Sequence, residues 1–496
     1  PSDGGAFACG GRNRTCEVAR MSARPWRRSP EDFAADIEQA IGWMVRHMGD
    51  ASERSVWSRA QPGEVGSKIP KTPPSEPEPL KDVLRDMQKI IEPGLVRWDA
   101  PGWMAWFPSN SHPDAMLGDL LASVAAQPGM LWTSSPACTE LETRMLEWLR
   151  TAMGLPVCFA EGGLGGGVIQ DTASSAVLAC MIAARDRATQ SRATREGGSA
   201  CSGLVAYASE QSHSSVLKAT GICGIGRDNL RLVPTDDAFR MDADSLAEMM
   251  KHDVDAGRQP CFCVATVGTT GCGAIDPVAA IAEVCRSHGA WLHVDAAWAG
   301  TAALSSRHRN TIVAGASEAD SWTFNPHKWM GASFDCSCLW LADRRPLIDA
   351  MSIEPEYLRN AATDGGDVID YRDWHIQLGR RFRAMKLWVL LRRTGVSALA
   401  NMVDFHVSLA KTIEQHIGAH PKLELAAPRS LSLLCIRHVD GDAATQQLLD
   451  AVNADDRFAV THCTLDGRLV MRVAIGALST ELADVETFSE YLLAAM

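Results

Sequence analysis

The 496-residue chain has no uninterrupted apolar run long enough to span a bilayer, which takes roughly 20 residues. Its first stretch also lacks the apolar core of a secretory signal. Positive charge is not in excess: 48 lysines and arginines face 60 aspartates and glutamates, a formal charge of −12. That balance argues against nucleic acid or an anionic membrane as the main partner. Together these absences give the expectation of a cytoplasmic globular protein with neither type of partner. Tyrosine is scarce, at four residues, so any tyrosine in a polar loop stands out. At 46% hydrophobic and 22% charged residues, a chain of this length is expected to form two or three domains around a large core.

Cysteine is plentiful, at fifteen, but the spacing of a disulfide framework is missing. Cys180, Cys261, Cys263, Cys285 and Cys435 are scattered through segments that read as strands and helices, as reduced core thiols would be. Cys261-Phe262-Cys263 and Cys336-Ser337-Cys338 are too closely spaced for zinc pairs and have no matching His/Cys pair, so no metal site is expected. Nucleotide fingerprints are missing as well. Residues 161–174 are glycine-rich and lead Thr172, Ala173 and Ser174 onto a helical turn, an arrangement suited to an anion. They match neither GxGxxG nor a P-loop, since no Gly-Lys-Ser/Thr follows.

Residues 1–20 are rich in Gly, Arg and Ser and precede Met21; they are expected to be a disordered leader or tag. Ser29-Pro30-Glu31-Asp32 predicts a helix start, with a hydroxyl cap, a first-turn proline and acids against the dipole. Phe33, Ile37, Ile41, Met44 and Met48 fall on one face of that helix. Five prolines in 69–79 predict an extended connector, followed by a helix over about 81–91. Ser135-Pro136 opens another capped helix with Leu141, Met145, Leu149 and Met153 on one face, ending at Gly154.

Beyond Gly154, short apolar runs at 204–208, 261–267, 291–294 and 338–341 alternate with helical segments at 172–185 and 277–288. Alternation of this kind predicts an α/β fold, a mostly parallel sheet with helices on both faces. Ligands gather at the carboxyl ends of strands in such sheets, where Asp295 and Thr269-Thr270 fall and shortly after which His213 follows. From about residue 380, two long helical patterns lead into strands joined through Asp466-Gly467, a hairpin signal, and predict a small α+β domain. The expected organisation is therefore an N-terminal helical and extended segment (21–112), a large domain (113–385) and a small C-terminal domain (386–496).

Lys328 lies in an apolar stretch with Trp322, Phe324, Trp329 and Met330. Burying an ammonium without a partner is expensive, whereas a desolvated lysine is a neutral amine able to condense with a carbonyl. Upstream, the apolar run 291–294 ends in the carboxylate of Asp295, placed to meet a cation. A condensing lysine and an aspartate able to pair with a pyridinium nitrogen are what pyridoxal 5′-phosphate (PLP) requires of a protein.

The segments HVDAAWAG (293–300) and ADSWTFNPHKW (319–329) resemble the group II PLP-dependent decarboxylases, in particular the aromatic L-amino acid decarboxylases, and the resemblance runs from about Trp98 to the C-terminus. It implies the PLP-dependent transferase-like fold of aspartate aminotransferase type I, PLP as cofactor, and a two-fold homodimer with active sites at the interface. It assigns the PLP phosphate to Thr172, Ala173 and Ser174, with Ser321, Asn325 and His327 assisting. His213 is implied on the pyridine ring, Thr270 near the ring oxygen, Asp295 at the ring nitrogen, Ala297 among the cofactor contacts and Lys328 as the covalent anchor. Trp98, Phe107, Pro108 and Ser109 match positions lining the substrate ring, and Met130 stands where a partner-subunit Phe would reach. Gly379 matches a position that is Gly in plant members taking indolic substrates and Ser in those taking phenolic ones. Trp106 and Ser109 stand where animal members have Tyr and Thr.

The polar, glycine-punctuated stretch 353–367 reads as a mobile lid, and its Tyr357 matches the family's catalytic loop tyrosine. Phe at this position accompanies aldehyde synthase activity in the family. The expected function is thus decarboxylation of an aromatic L-amino acid, tryptophan first, to the amine. The alternatives are an aromatic aldehyde synthase, a decarboxylase of a non-aromatic amino acid and, more remotely, an inactive scaffold.

Overall fold

The computed structural model describes residues 28–52, 54–353 and 368–495. Residues 1–20 and the stretch containing Tyr357 lie outside the described residues. The chain divides into two compact units, 1–96 and 97–496.

In the first unit, helix α1 (Pro30–Gly49) begins where the Ser29-Pro30 signal places it: the Ser29 hydroxyl accepts the Asp32 N–H at 3.0 Å. Phe33, Ile41, Met44 and Met48 remain exposed. The prolines of 69–79 lie in an irregular stretch. The helix expected over 81–91 is α-helical only over Leu80–Asp86 and widens into a π-turn at Met87–Ile91.

The second unit is built on a seven-stranded sheet of β1 (Gly166–Gln170), β2 (Leu204–Ser209), β3 (Leu230–Val233), β4 (Gln259–Thr266), β5 (Trp291–Asp295), β6 (Ser321–Phe324) and β7 (Ser337–Leu341). Its order is β1-β7-β6-β5-β4-β2-β3. All pairings are parallel except those of β7, which runs against both β6 and β1, so β1 points the same way as β6. The strands are apolar throughout because both faces are covered. On β4, Cys263 and Ala265 enter one core while Phe262 and Val264 enter the other. The glycine-rich stretch contains a buried strand, β1, which local propensity does not suggest. Tertiary packing overrides propensity here: a Cβ on Gly167 would lie 2.9 Å from the Trp340 ring, so its absence lets β1 close against β7.

Helix α2 (Pro136–Met153) has the expected first-turn proline and a left-handed Gly154 at its end. The expected hydroxyl cap is not formed: Ser135 makes no side-chain capping bond, its φ of −155° and ψ of 60° turning it away. Glu142 of α2 is fully buried; its Oε1 accepts the Ile169 N–H at 2.8 Å and Arg380 Nη2 at 2.5 Å. Arg380 also donates to the carbonyls of Ile169 and Gly129. One buried ion pair thereby ties α2 to β1. Helix α3 (Ala173–Thr189) follows β1 directly, with the Thr172 hydroxyl accepting the Ser175 N–H at its N-cap.

The C-terminal part carries an antiparallel sheet of β8 (Leu423–Leu425), β9 (Leu433–His438), β10 (Thr461–Leu465) and β11 (Arg468–Ala474), in the order β10-β11-β9-β8. Asp466 and Gly467 join β10 to β11 with φ of 49° and 71°, the double left-handed turn that Asp-Gly favours. Its core is packed by helices Val396–Gly418, Asp442–Ala454 and Leu482–Ala494. Among the described residues, no helix is long and apolar enough to cross a membrane.

Candidate active site

The carboxyl ends of β1, β2, β4, β5 and β6 open onto one cavity of about 180 Å³. Each strand contributes through the residues just beyond it, as expected where parallel strands end together. Asp295 closes β5, its Oδ1 accepting the Ala297 N–H at 2.9 Å. After β6, the chain turns so that Asn325 N–H reaches the Ala297 carbonyl at 2.9 Å and Lys328 N–H the Asn325 carbonyl at 3.0 Å. That turn brings Lys328 onto the wall of the cavity that Asp295 also lines. Burial lowers the Lys328 amine from 10.5 to about 8, with Asp295 opposing the drop and Arg472 adding to it.

Thr172, Ala173 and Ser174 line the cavity at the N-terminus of α3, where first-turn N–H groups and the helix dipole favour an anion. Asn325 Oδ1 is buried there without a protein partner. His327 Nδ1 accepts the Cys336 N–H at 2.9 Å, and burial pushes its pKa down to about 3, with Lys328 adding. His213 Nδ1 accepts the Ser215 N–H at 3.2 Å, leaving Nε2 to carry the proton. Desolvation shifts His213 below the ordinary 6.5, with Asp295 opposing and Lys328 adding. Thr270 and Ala297 complete the expected cofactor contacts on the wall.

A wider cavity of about 1000 Å³ adjoins this one, sharing Phe107, His213, Thr270, His327 and Lys328. Trp98, Trp106 and Ser109 line it. Trp98 lies 4.4 Å from Trp103 and 5.6 Å from Trp106 between ring centres, forming an aromatic wall. Ser109 donates to the His327 carbonyl at 3.3 Å. Phe107 stacks on Trp298 at 4.6 Å, and Trp298 stacks on Trp329 at 5.2 Å.

Four expected site residues lie elsewhere. Ser321 is buried on β6 and spends its hydroxyl on Trp291 Nε1 and His293 Nδ1, each at 2.8 Å, so it does not face the cavity. Pro108 is buried against Gly476. Met130 lines neither cavity; its carbonyl accepts the Arg372 N–H. Gly379 lines a separate surface groove with Asp119 and Arg381.

Arg472, which sequence reasoning missed, belongs to the site. Its guanidinium is buried on β11, 4.2 Å over the Phe107 ring, with Nη1 donating to the Trp106 carbonyl. Among the described residues, Nε and Nη2 have no partner, and the side chain lines the wider cavity. The signal was an arginine at an inward position of the apolar strand RLVMRVA. Trp298, Thr461, His462 and Cys463, also on these walls, carried no comparable signal.

The family model for the pyridoxal-dependent decarboxylase conserved domain matches residues 62–439. The chain belongs to the pyridoxal-dependent decarboxylase family. It is 41% identical over 459 residues to phenylacetaldehyde synthase of Arabidopsis thaliana, covering 91% of each chain. It is 39% identical over 464 residues to tryptophan decarboxylase 2 of Oryza sativa subsp. japonica, covering 92% of this chain and 90% of that one. The crystal structure of Oryza sativa TDC with PLP and tryptamine superposes with a TM-score of 0.91 at 34% identity, over 94% of this chain and 98% of that one. This decarboxylase is a PLP-dependent carboxy-lyase, and its cavity suits the cofactor. A lysine amine shifted towards neutrality, a carboxylate lining the same cavity, a helix N-terminus and a buried amide oxygen without a partner among the described residues are donors and acceptors of the kind PLP needs.

Proposed function

We propose that this decarboxylase acts on aromatic L-amino acids, with tryptophan favoured, and releases carbon dioxide and the amine. The observation that carries the reading is Arg472: a buried cation with two unpartnered N–H-bearing nitrogens, beside an aromatic wall and close enough to Lys328 to lower its pKa. An unsatisfied buried donor is costly, and a substrate carboxylate would satisfy it while the substrate ring packs on Trp98 and Trp106.

In this reading Lys328 would anchor PLP through its neutral amine, and Asp295 would pair with the ring nitrogen. Thr172, Ala173, Ser174 and Asn325 would hold the phosphate, and His213, Thr270, Ala297 and His327 would contact the rest of the cofactor. When bound, PLP supplies an electron sink for the pair left on Cα as carbon dioxide departs. Arg472 orients the carboxylate, and the Phe107–Trp298–Trp329 stack keeps water from the developing charge. Tyr357, outside the described residues, would donate the proton that Cα needs to give an amine.

Tryptophan is favoured on the volume of the outer cavity and on the similarity to tryptophan decarboxylase 2 of Oryza sativa subsp. japonica. Gly379 lies in another groove of this chain and lends no support within one subunit. We further propose a two-fold homodimer with Met130 at the interface, and domains dividing near residues 112 and 385. An aldehyde synthase is the second reading, favoured by the 41% identical Arabidopsis relative. Incubating the holoprotein with each of the twenty amino acids and identifying amine or aldehyde by mass spectrometry tests both. A tenfold preference in kcat/KM for tyrosine or methionine over tryptophan refutes the indole reading, and aldehyde as main product refutes the amine.

A further inference from the structure

Among the cysteines of the described residues, Cys463 is the one lining the active-site cavities; eleven of the others are buried, and Cys158 lies elsewhere. Its surroundings follow from strand register. Cys463 pairs with Val470 on β11, and Arg472 pairs with Cys435 on β9. Paired residues share a face, as do residues two apart, so Cys463, Arg472 and Cys435 face the same side across three strands. The Cys435 and Cys463 sulfurs converge on one acceptor, the Gly271 carbonyl, at 3.5 and 3.6 Å. Gly271 directly follows Thr270 of the cofactor cavity.

We propose that Cys463 is an oxidation site for peroxide in the wall of the substrate cavity, and that its sulfenate occupies Arg472. The Cys463 thiol lies below its ordinary 9.0, lowered by its neighbour Cys435 and by the Arg472 cation, with burial opposing. A thiol shifted this way forms the reactive thiolate more readily than the buried cysteines among the described residues. The sulfur attacks one oxygen of hydrogen peroxide, the O–O bond breaks, and sulfur loses two electrons: RS⁻ + H₂O₂ → RSO⁻ + H₂O. The new oxygen is an anionic acceptor beside the unpartnered Nε and Nη2 of Arg472. Strand β11 lies between β9 and β10, which sets the Cys435 and Cys463 backbones two strand spacings apart, too far for a disulfide. A sulfenate held by Arg472 competes with a substrate carboxylate, a consequence that rests on the function proposed above. Two equivalents of an added thiol return it to the thiol with release of water and a disulfide of the reagent.

The test uses substrate-free holoprotein treated with a few equivalents of hydrogen peroxide, trapped with a cyclic 1,3-dione and mapped by peptide mass spectrometry. The expected adduct sits on Cys463, at least tenfold above any other cysteine of the described residues. Cys435→Ala should reduce it about tenfold at neutral pH, as expected if the thiolate fraction falls when its neighbouring thiol is removed. Untrapped oxidised protein should show at least a tenfold higher KM for its amino-acid substrate, reversed by dithiothreitol, whereas the KM of Cys463→Ala should not respond to peroxide. An unlabelled Cys463 beside other labelled cysteines overturns the proposal, as does complete oxidation of Cys463 with unchanged KM. Labelling is read without turnover, so a protein inactive on aromatic amino acids would refute the proposed function while the adduct still decides the fate of Cys463.

Discussion

Lys328 should titrate within reach of neutral pH, and Asp295 should set where. Its amine falls from 10.5 to about 8, a difference of about 3 kcal/mol in the relative stability of the charged and neutral forms. At pH 7 about one lysine in ten is then neutral, against about three in ten thousand for an ordinary lysine. Only the neutral amine condenses with a carbonyl, so the second-order rate at which apoprotein takes up PLP should climb about tenfold per pH unit and level off above about pH 8. Growth of visible absorbance after stopped-flow mixing measures it, from pH 6.5 upward so that the PLP phosphate, with a pKa of about 6, stays ionised. Burial lowers the pKa and Asp295 raises it. Asp295→Asn should therefore move the midpoint below 8 and speed uptake at pH 7, even as it harms turnover. A flat profile, a midpoint near 10, or an upward move in the variant would refute the reasoning.

Arg472→Met should lower kcat/KM by about thirtyfold, since charge-assisted hydrogen bonds to a carboxylate contribute about 2 kcal/mol; steady-state kinetics showing less than a threefold loss would remove Arg472 from substrate binding. Tyr357→Phe should still release carbon dioxide but divert product towards aldehyde, ammonia and peroxide, and an unchanged amine yield would exclude Tyr357 as the proton donor. Glu142→Leu leaves Arg380 buried without its carboxylate and should cost about 3–5 kcal/mol. That loss is measured as a lower denaturant midpoint, and one below about 1 kcal/mol would mean the pair is not holding α2 to β1.

What the sequence determined by itself was local. Ser29-Pro30 started a helix because capping chemistry is read within one turn, and Asp466-Gly467 made a hairpin because few residue pairs tolerate two left-handed positions. Strand and helix periods were enough to show an α/β sheet, and the apolar surroundings of Lys328 were enough to mark its amine as unusual. Tertiary structure decided what depends on partners distant in the chain. Residues 166–170 became a strand because Trp340 accepts a glycine face, and Ser321 turned to Trp291 and His293 instead of the cavity. Gly379 was carried into a separate groove. Arg472 came to face Lys328's cavity from another sheet. Alternation along a strand states which residues share a face; which face meets a cavity follows only from the packing of that strand against the rest of the chain.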